Sequence, residues 1–245
     1  MTISFAPPFV DSPNDLLPSL KKRGFAVLTA SQFRELAALE ASSLANWASS
    51  WDELPLDNYL RDGGRYRRRR FSSFVVRDDV VQLVAHRPHW QPYEYNALHG
   101  GMERHFEPID PVSLGSPSWD RLLRWLGQVA SELRGKQPWY VEAHQFRIDT
   151  TDGIGRPTPE GAHRDGVDLV AVFLIGRSGI KGGETRVFDN AGPSGQRFTL
   201  VEPWSVLLLD DLRVIHESTP IQPLTNGGQR DTLVVTLRAR SFQSP

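Results

Sequence analysis

The sequence predicts a mainly β protein flanked by helices: a jelly-roll core over about residues 139–240, preceded by a helical, loop-rich part over about 1–138, the whole forming one domain. Three observations carry this. From Trp139 onward seven short apolar runs follow one another, punctuated by Gly, Pro and Asn, with nothing of helix length between them. Before Trp139, apolar residues recur at helical spacing in two long stretches. A chain of 245 residues with 39 % hydrophobic content suffices for one β-rich domain with a substantial core.

The elements follow in order. In DSPNDLLPSLKKRGF, Asp11 or Ser12 serves as N-cap, Pro13 occupies the first turn and Gly24 stops the helix; FAVL after it reads as an edge strand. SQFRELAALEASSLANWASSW reads as one helix, with Ser31 as cap and Phe33, Leu36, Leu39, Leu44 and Trp47 forming a stripe. SWDRLLRWLGQVASELRG repeats the pattern, with Leu122, Leu123, Trp125, Leu126 and Val129 on one side and Gly135 as terminator. Both stripes read as faces packed on a sheet. The strands are then WYVEAHQFRID, VDLVAVFLI, ETRVFD, QRFTLV, SVLLLDD, VIHEST and DTLVVTLRARS, with GGETR a tight turn opening one of them.

Composition removes several functions. The absence of cysteine excludes disulfides, thiolate metal sites and cysteine nucleophiles. A formal net charge of -1 gives no global field for nucleic acid or an anionic membrane. The first residues lack a basic and an apolar signal region, and no run approaches the length of a membrane span. The expectation is a cytoplasmic protein acting on a small molecule, with no nucleic-acid or membrane partner and with its oligomeric state open.

The chemistry starts at PTPEGAHRDG, residues 157–166. In extended backbone, residues i and i+2 share a face, so His163 and Asp165 present an imidazole and a carboxylate about 6–7 Å apart at their Cα atoms. VIHEST returns His216 after several intervening strands. Two His and one carboxylate on one face leave coordination positions open, the arrangement of non-haem Fe(II) oxygenases. Arg230 and Thr232, as R-D-T, share a face of the last strand; arginine grips a carboxylate through paired hydrogen bonds and the threonine hydroxyl adds a third.

HQFRID, PTPEGAHRDG, GGETRVFD, VLLLDDLRVIHEST and RDTLVVTLR, together with YRRRRFSSF and NALHGGMERHFEPI, resemble the 2-oxoglutarate and Fe(II)-dependent oxygenase family that contains the bacterial isoleucine 4-hydroxylases and biofilm- and stress-linked homologues. The resemblance covers roughly residues 60–240. It implies a double-stranded β-helix with His163, Asp165 and His216 on iron and Arg230 on the far carboxylate of 2-oxoglutarate, and it implies dioxygen as oxidant and hydroxylation of a free aliphatic L-amino acid.

Further residues compete for substrate or co-substrate roles. In the run Arg67–Arg70, alternation lets only one pair, Arg67 and Arg69 or Arg68 and Arg70, face a pocket; phosphate contact is the nucleic-acid alternative. Gln145 and Arg147 share one face of HQFRID, His144, Phe146 and Ile148 the other, and Arg147 is either a substrate or co-substrate contact or part of a buried ion pair. Glu160 is a candidate partner for a substrate ammonium group, or an exposed loop carboxylate. Phe71, Phe74 and Tyr93 are candidates for the substrate's apolar part. His86, His89, His99 and His105 read as hydrogen-bonded structural residues. The rival functions are a cupin-like metalloenzyme without 2-oxoglutarate, a catalytically weak homologue retaining the metal site, and a nucleic-acid demethylase.

Overall fold

The computed structural model describes residues 5–245. Helix α1 (Leu16–Arg23) leads into β1 (Phe25–Leu28), followed by α2 (Ala30–Ala37) and α3 (Ala41–Ala48). A hairpin of β2 (Arg67–Arg77) and β3 (Val80–Leu83) precedes α4 (Pro111–Leu114), α5 (Pro117–Arg134) and β4 (Trp139–Asp149). The remaining strands are β5 (Leu169–Ser178), β6 (Ile180–Gly182), β7 (Thr185–Asp189), β8 (Gly195–Phe198), β9 (Val206–Asp210), β10 (Val214–Ser218), β11 (Ile221–Pro223) and β12 (Gln229–Ala239).

Seven strands form one antiparallel sheet in the order β1-β9-β5-β12-β4-β2-β3; β10-β7-β8 and β11-β6 form two smaller sheets. This is the expected mainly β jelly roll, and FAVL lies at the sheet edge as read. Its boundary is different. Besides β1, the large sheet recruits β2 and β3 from the part expected to be helical and loop-rich, because the 11-residue β2 pairs along β4 from Arg67↔Ile148 to Val76↔Trp139. Register comes from side-chain alternation that puts alternate residues on opposite faces.

Both faces of the large sheet are covered, which explains the unbroken apolar run in β5. Leu169, Ala171 and Phe173 point to a cluster with Phe33, Leu122, Trp125 and Leu126 from the helices. Val170 and Leu174 point inward to Val187, Phe198 and Leu207. Each such buried side chain contributes about 1.5–3 kcal/mol, so the helical layer is held by its stripes rather than by helix propensity.

The expected single helix through SQFRELAALEASSLANWASSW is two. Ala38 takes a left-handed conformation (φ 52°) and breaks it, and Thr29 rather than Ser31 caps α2 by accepting from the Gln32 N–H. The apolar stripe continues across the break, since Phe33, Leu39, Leu44 and Trp47 all enter the same core; periodicity alone therefore conceals it. Among the described residues no helix is long and apolar enough to cross a membrane.

Candidate active site

The inner face of the large sheet is a grid whose rows follow from register. Arg67, Ile148 and Arg230 lie side by side, then Arg69, Phe146 and Thr232, then Phe71, His144 and Val234. All but Phe71 line one cavity, which the loop 157–165 and β10 close from the other side with Glu160, His163, Asp165 and His216.

The three metal-ligand candidates converge. Residues 163 and 216 exchange both backbone hydrogen bonds, at 3.0 and 2.9 Å, bringing their imidazole centroids to 4.7 Å. His163 Nε2 and His216 Nε2 each lie 3.8 Å from an oxygen of Asp165. His163 Nδ1 bonds the Gly161 carbonyl at 2.9 Å, so that nitrogen carries the proton and Nε2 offers its lone pair. Burial raises the Asp165 carboxyl above the usual carboxylate range and pushes His216 down to about 3. Burial opposes protonation of His163 too, but the carboxylates of Asp165 and Glu160 hold it above its ordinary value. A neutral imidazole and a carboxylate short of positive charge form a donor set that fits a divalent cation, and iron suits two imidazoles with one carboxylate.

Asp211, not singled out in the sequence, holds this loop. Its buried carboxylate accepts the backbone N–H groups of Asp165, Gly166 and Val167 at 3.0, 2.8 and 3.1 Å. Gly166 has φ 74°, and a Cβ there would run into the ring of Tyr95, so the turn after Asp165 requires glycine twice over.

Arg230 is 4 % exposed, and burial, with Arg177 beside it, pushes it down to about 10. Among the described residues no ion pair or side-chain hydrogen bond reaches its guanidinium, and Thr232 flanks it in the cavity wall. A buried, unpaired guanidinium is an anion site in waiting.

The arginine run alternates. Arg67 and Arg69 face the cavity, whereas Arg68 and Arg70 point to the other side and meet Asp149 and Glu107. Arg67 Nε donates to Asp57 at 2.7 Å; Arg69 Nη2 donates to His144 Nδ1 at 2.7 Å and its guanidinium lies over Phe106 and Phe146. A third buried arginine, Arg104, donates to Gln91 Oε1 at 2.9 Å. Burial pushes Arg104 down to about 10, with Arg67 adding to the effect.

Arg147 and Gln145 do not line this cavity. The parity of β4 turns His144, Phe146 and Ile148 inward, so Arg147 pairs on the opposite face with Asp231 at 2.8 Å and Asp52 at 2.9 Å, and Gln145 donates to Ser50 Oγ at 2.7 Å. The buried-ion-pair reading of Arg147 is the structural one. Phe74 faces the helices against Trp119, and Tyr93 is 57 % exposed. Phe71 stacks beneath His144, at 4.8 Å between ring centroids, outside the cavity lining. Glu160 is no exposed loop carboxylate: Oε1 lies 3.6 Å from His163 Nε2, and Oε2 is buried with no hydrogen-bond partner.

His89, Glu142 and His144 make a second close-packed trio in the same cavity. Their ligand atoms are spent: Arg87 and His89 bond Glu142 at 2.7 and 3.2 Å, and Arg69 takes His144 Nδ1. With three guanidinium groups around it, this trio is a hydrogen-bond network rather than a cation site. Burial pushes Glu142 up to about 7 against the pull of Arg87, Arg69 and Arg104. His89 lines the cavity through this network, while His86 bonds the Phe106 carbonyl, and His99 receives the Arg61 N–H.

Known proteins resemble this chain over most of its length. The model of the 2OG-Fe dioxygenase family matches residues 48–236. The crystal structure of a bsmA homologue from Methylobium petroleophilum PM1 is 50 % identical, covers 100 % of this chain and 99 % of that one, and superposes with a TM-score of 0.92. IDO from Bacillus thuringiensis (20 % identity, 95 % of this chain and 100 % of that one, TM-score 0.75) and the Fe(II)/α-ketoglutarate-dependent dioxygenase TqaL (18 %, 95 % and 88 %, 0.72) share the fold. No curated protein matches.

Proposed function

This chain belongs to the 2OG-Fe dioxygenase family, enzymes that use Fe(II), 2-oxoglutarate and dioxygen, and on that premise we propose that it hydroxylates a free aliphatic L-amino acid or a close derivative. His163, Asp165 and His216 would hold the iron, and Arg230 with Thr232 the far carboxylate of 2-oxoglutarate. When bound, these groups supply the oxidation that inserts one oxygen atom into a substrate C–H bond as the co-substrate becomes succinate and carbon dioxide.

The chain's own part is orientation and exclusion of water. One observation carries the amino-acid reading: the cavity that holds the metal trio also holds an acid, Glu160, one oxygen of which is buried without a partner, and buried arginines, Arg67 and Arg69, with unused N–H donors. An ammonium and a carboxylate on one small molecule would satisfy both, and unpaired buried charge is costly enough to demand it. Phe146, Ile148, Val172 and Val234 offer the apolar wall for a carbon chain.

The test is a screen of the twenty amino acids and their N-acyl forms for succinate release with Fe(II), followed by mass spectrometry for a gain of about 16 Da, one inserted oxygen. Succinate release without an oxidised amino acid in any form would remove the amino-acid reading and leave the dioxygenase core.

A further inference from the structure

The cavity's charge is not matched by a zwitterion. Besides Arg230, three arginines line the cavity: Arg67, Arg69 and Arg104, exposed by 5, 3 and 2 %. Each has five N–H donors. Each makes a single side-chain hydrogen bond among the described residues, to Asp57, His144 and Gln91 respectively. Arg67 Nη2, Arg69 Nε and Arg104 Nε are buried without any partner.

Against these three positive charges stand two carboxylates, Asp57, bonded to Arg67 and 3.8 Å from Arg69, and Glu160. Above about pH 7, where Glu142 has released its proton, Arg87 at 2.7 Å takes its carboxylate and that pair cancels. His89 and His144 are held well below their ordinary value by burial and by the arginines, so they add no charge. One positive charge is left over. The other end of the cavity balances by itself, since a divalent ion, Asp165, the 2-oxoglutarate dianion and Arg230 together carry no net charge.

A zwitterionic amino acid would bring as much positive as negative charge and leave the excess in place. Resting on the amino-acid reading above, we infer that the substrate is a net monoanion, a carboxylate compound whose ammonium is either offset by a second acidic group or masked by acylation. In the first form the ammonium meets Glu160 and two carboxylates share the three arginines. In the second an amide N–H donates to Glu160 and one carboxylate takes the arginine cluster. Both forms close the charge, and a free aliphatic amino acid with an uncharged amide or alkyl side chain closes it less well.

Matched pairs that differ by one charge test this: L-glutamate against L-glutamine, L-aspartate against L-asparagine, and N-acetyl-L-leucine against L-leucine. With the Fe(II) enzyme and 2-oxoglutarate, the monoanion of at least one pair should show a kcat/KM roughly 10-fold or more above its neutral partner. The same order should appear in thermal stabilisation of protein loaded with Mn(II) and 2-oxoglutarate, where no turnover intervenes. Arg104→Gln should collapse the ratio by a similar factor and Arg104→Lys should retain it. A ratio unmoved by Arg104→Gln would take the excess charge away from the cluster. Neutral partners equal or superior in every pair would overturn the monoanion while leaving the amino-acid reading in force, and a panel in which nothing is oxidised would overturn both.

Discussion

The Asp211 carboxylate accepts the backbone N–H of Asp165 at 3.0 Å, so one acid at the end of a buried strand holds the backbone of a metal-ligand candidate on the neighbouring loop. With its bonds to Gly166 and Val167 it satisfies three consecutive backbone donors. Asp211→Asn replaces a charged acceptor with a neutral amide and turns an NH2 toward backbone N–H groups. Metal affinity, measured by titration with Fe(II) or Mn(II), should fall roughly 10- to 100-fold, and folding stability should fall by about 1–3 kcal/mol. A variant that binds metal as the parent does would mean that the loop holds its shape without the cradle.

Arg230→Ala should weaken 2-oxoglutarate binding by roughly 2–5 kcal/mol, the usual loss when one side of a buried charged pair is removed. Metal affinity should stay nearly constant, because the guanidinium makes no contact with His163, Asp165 or His216. The two quantities separate cleanly in a titration of metal-loaded protein with 2-oxoglutarate. Unchanged co-substrate affinity would move the carboxylate contact to the cluster of Arg67, Arg69 and Arg104.

Arg147→Met carries the opposite expectation. Its guanidinium faces away from the cavity and bonds Asp231 and Asp52, so 2-oxoglutarate affinity should not change. Stability should drop by about 1–3 kcal/mol as Asp231 loses its buried partner. A loss of co-substrate affinity exceeding the loss of stability would contradict the observed parity of β4.

That parity marks the limit of what could be read from sequence. Period two correctly divides Arg67 and Arg69 from Arg68 and Arg70, and Gln145 and Arg147 from His144 and Phe146, but it does not say which set turns inward when both contain polar groups. The jelly roll was legible because β5 and β9 are apolar on both faces and because Gly, Pro and Asn punctuate the short apolar runs from Trp139 onward. The break at Ala38 was not, because an alanine in left-handed conformation leaves no compositional mark. His163, Asp165 and His216 stand out by residue type and spacing. Asp211, Gln91 and Arg104 do not, since their roles arise from long-range hydrogen bonds; the one available signal for Asp211 was a second acid directly after a wholly buried strand.

Glu142 gives a pH dependence with a definite sign. Its folded value, pushed up to about 7 by burial, lies above the ordinary glutamate value of about 4.3. The folded state therefore keeps a proton that the unfolded state has released, and the associated stability is complete below the lower value and is lost as pH rises toward 7. At about 1.4 kcal/mol per pH unit, the loss is of the order of a few kcal/mol. Denaturant unfolding of the parent and of Glu142→Gln from about pH 5 to pH 8 isolates it: the parent should lose stability relative to the variant up to about neutrality and run parallel to it above. Parallel curves throughout would show that Arg87 keeps Glu142 ionised.

Gln91 connects the arginine cluster to the metal trio. Its Oε1 accepts from Arg104 at 2.9 Å and from Asn96 at 3.2 Å, which fixes the amide so that Nε2 points to Asp165 Oδ1 at 3.4 Å. Gln91→Leu keeps the volume but removes the donor to Asp165 and strands two buried donors, so Asp165 gains rotational freedom while its backbone stays held by Asp211. Metal affinity should fall by roughly 10-fold, the lower end of the usual effect for such supporting contacts. The fraction of 2-oxoglutarate consumed without substrate oxidation should rise, because a less fixed carboxylate orients the metal less well. Gln91→Glu separates steric from electrostatic support: it retains the acceptor for Arg104 and Asn96 but sets a second acid against Asp165. If both variants bind metal as tightly and couple as well as the parent, the 3.4 Å contact orients nothing, and Arg104 serves the substrate end of the cavity alone.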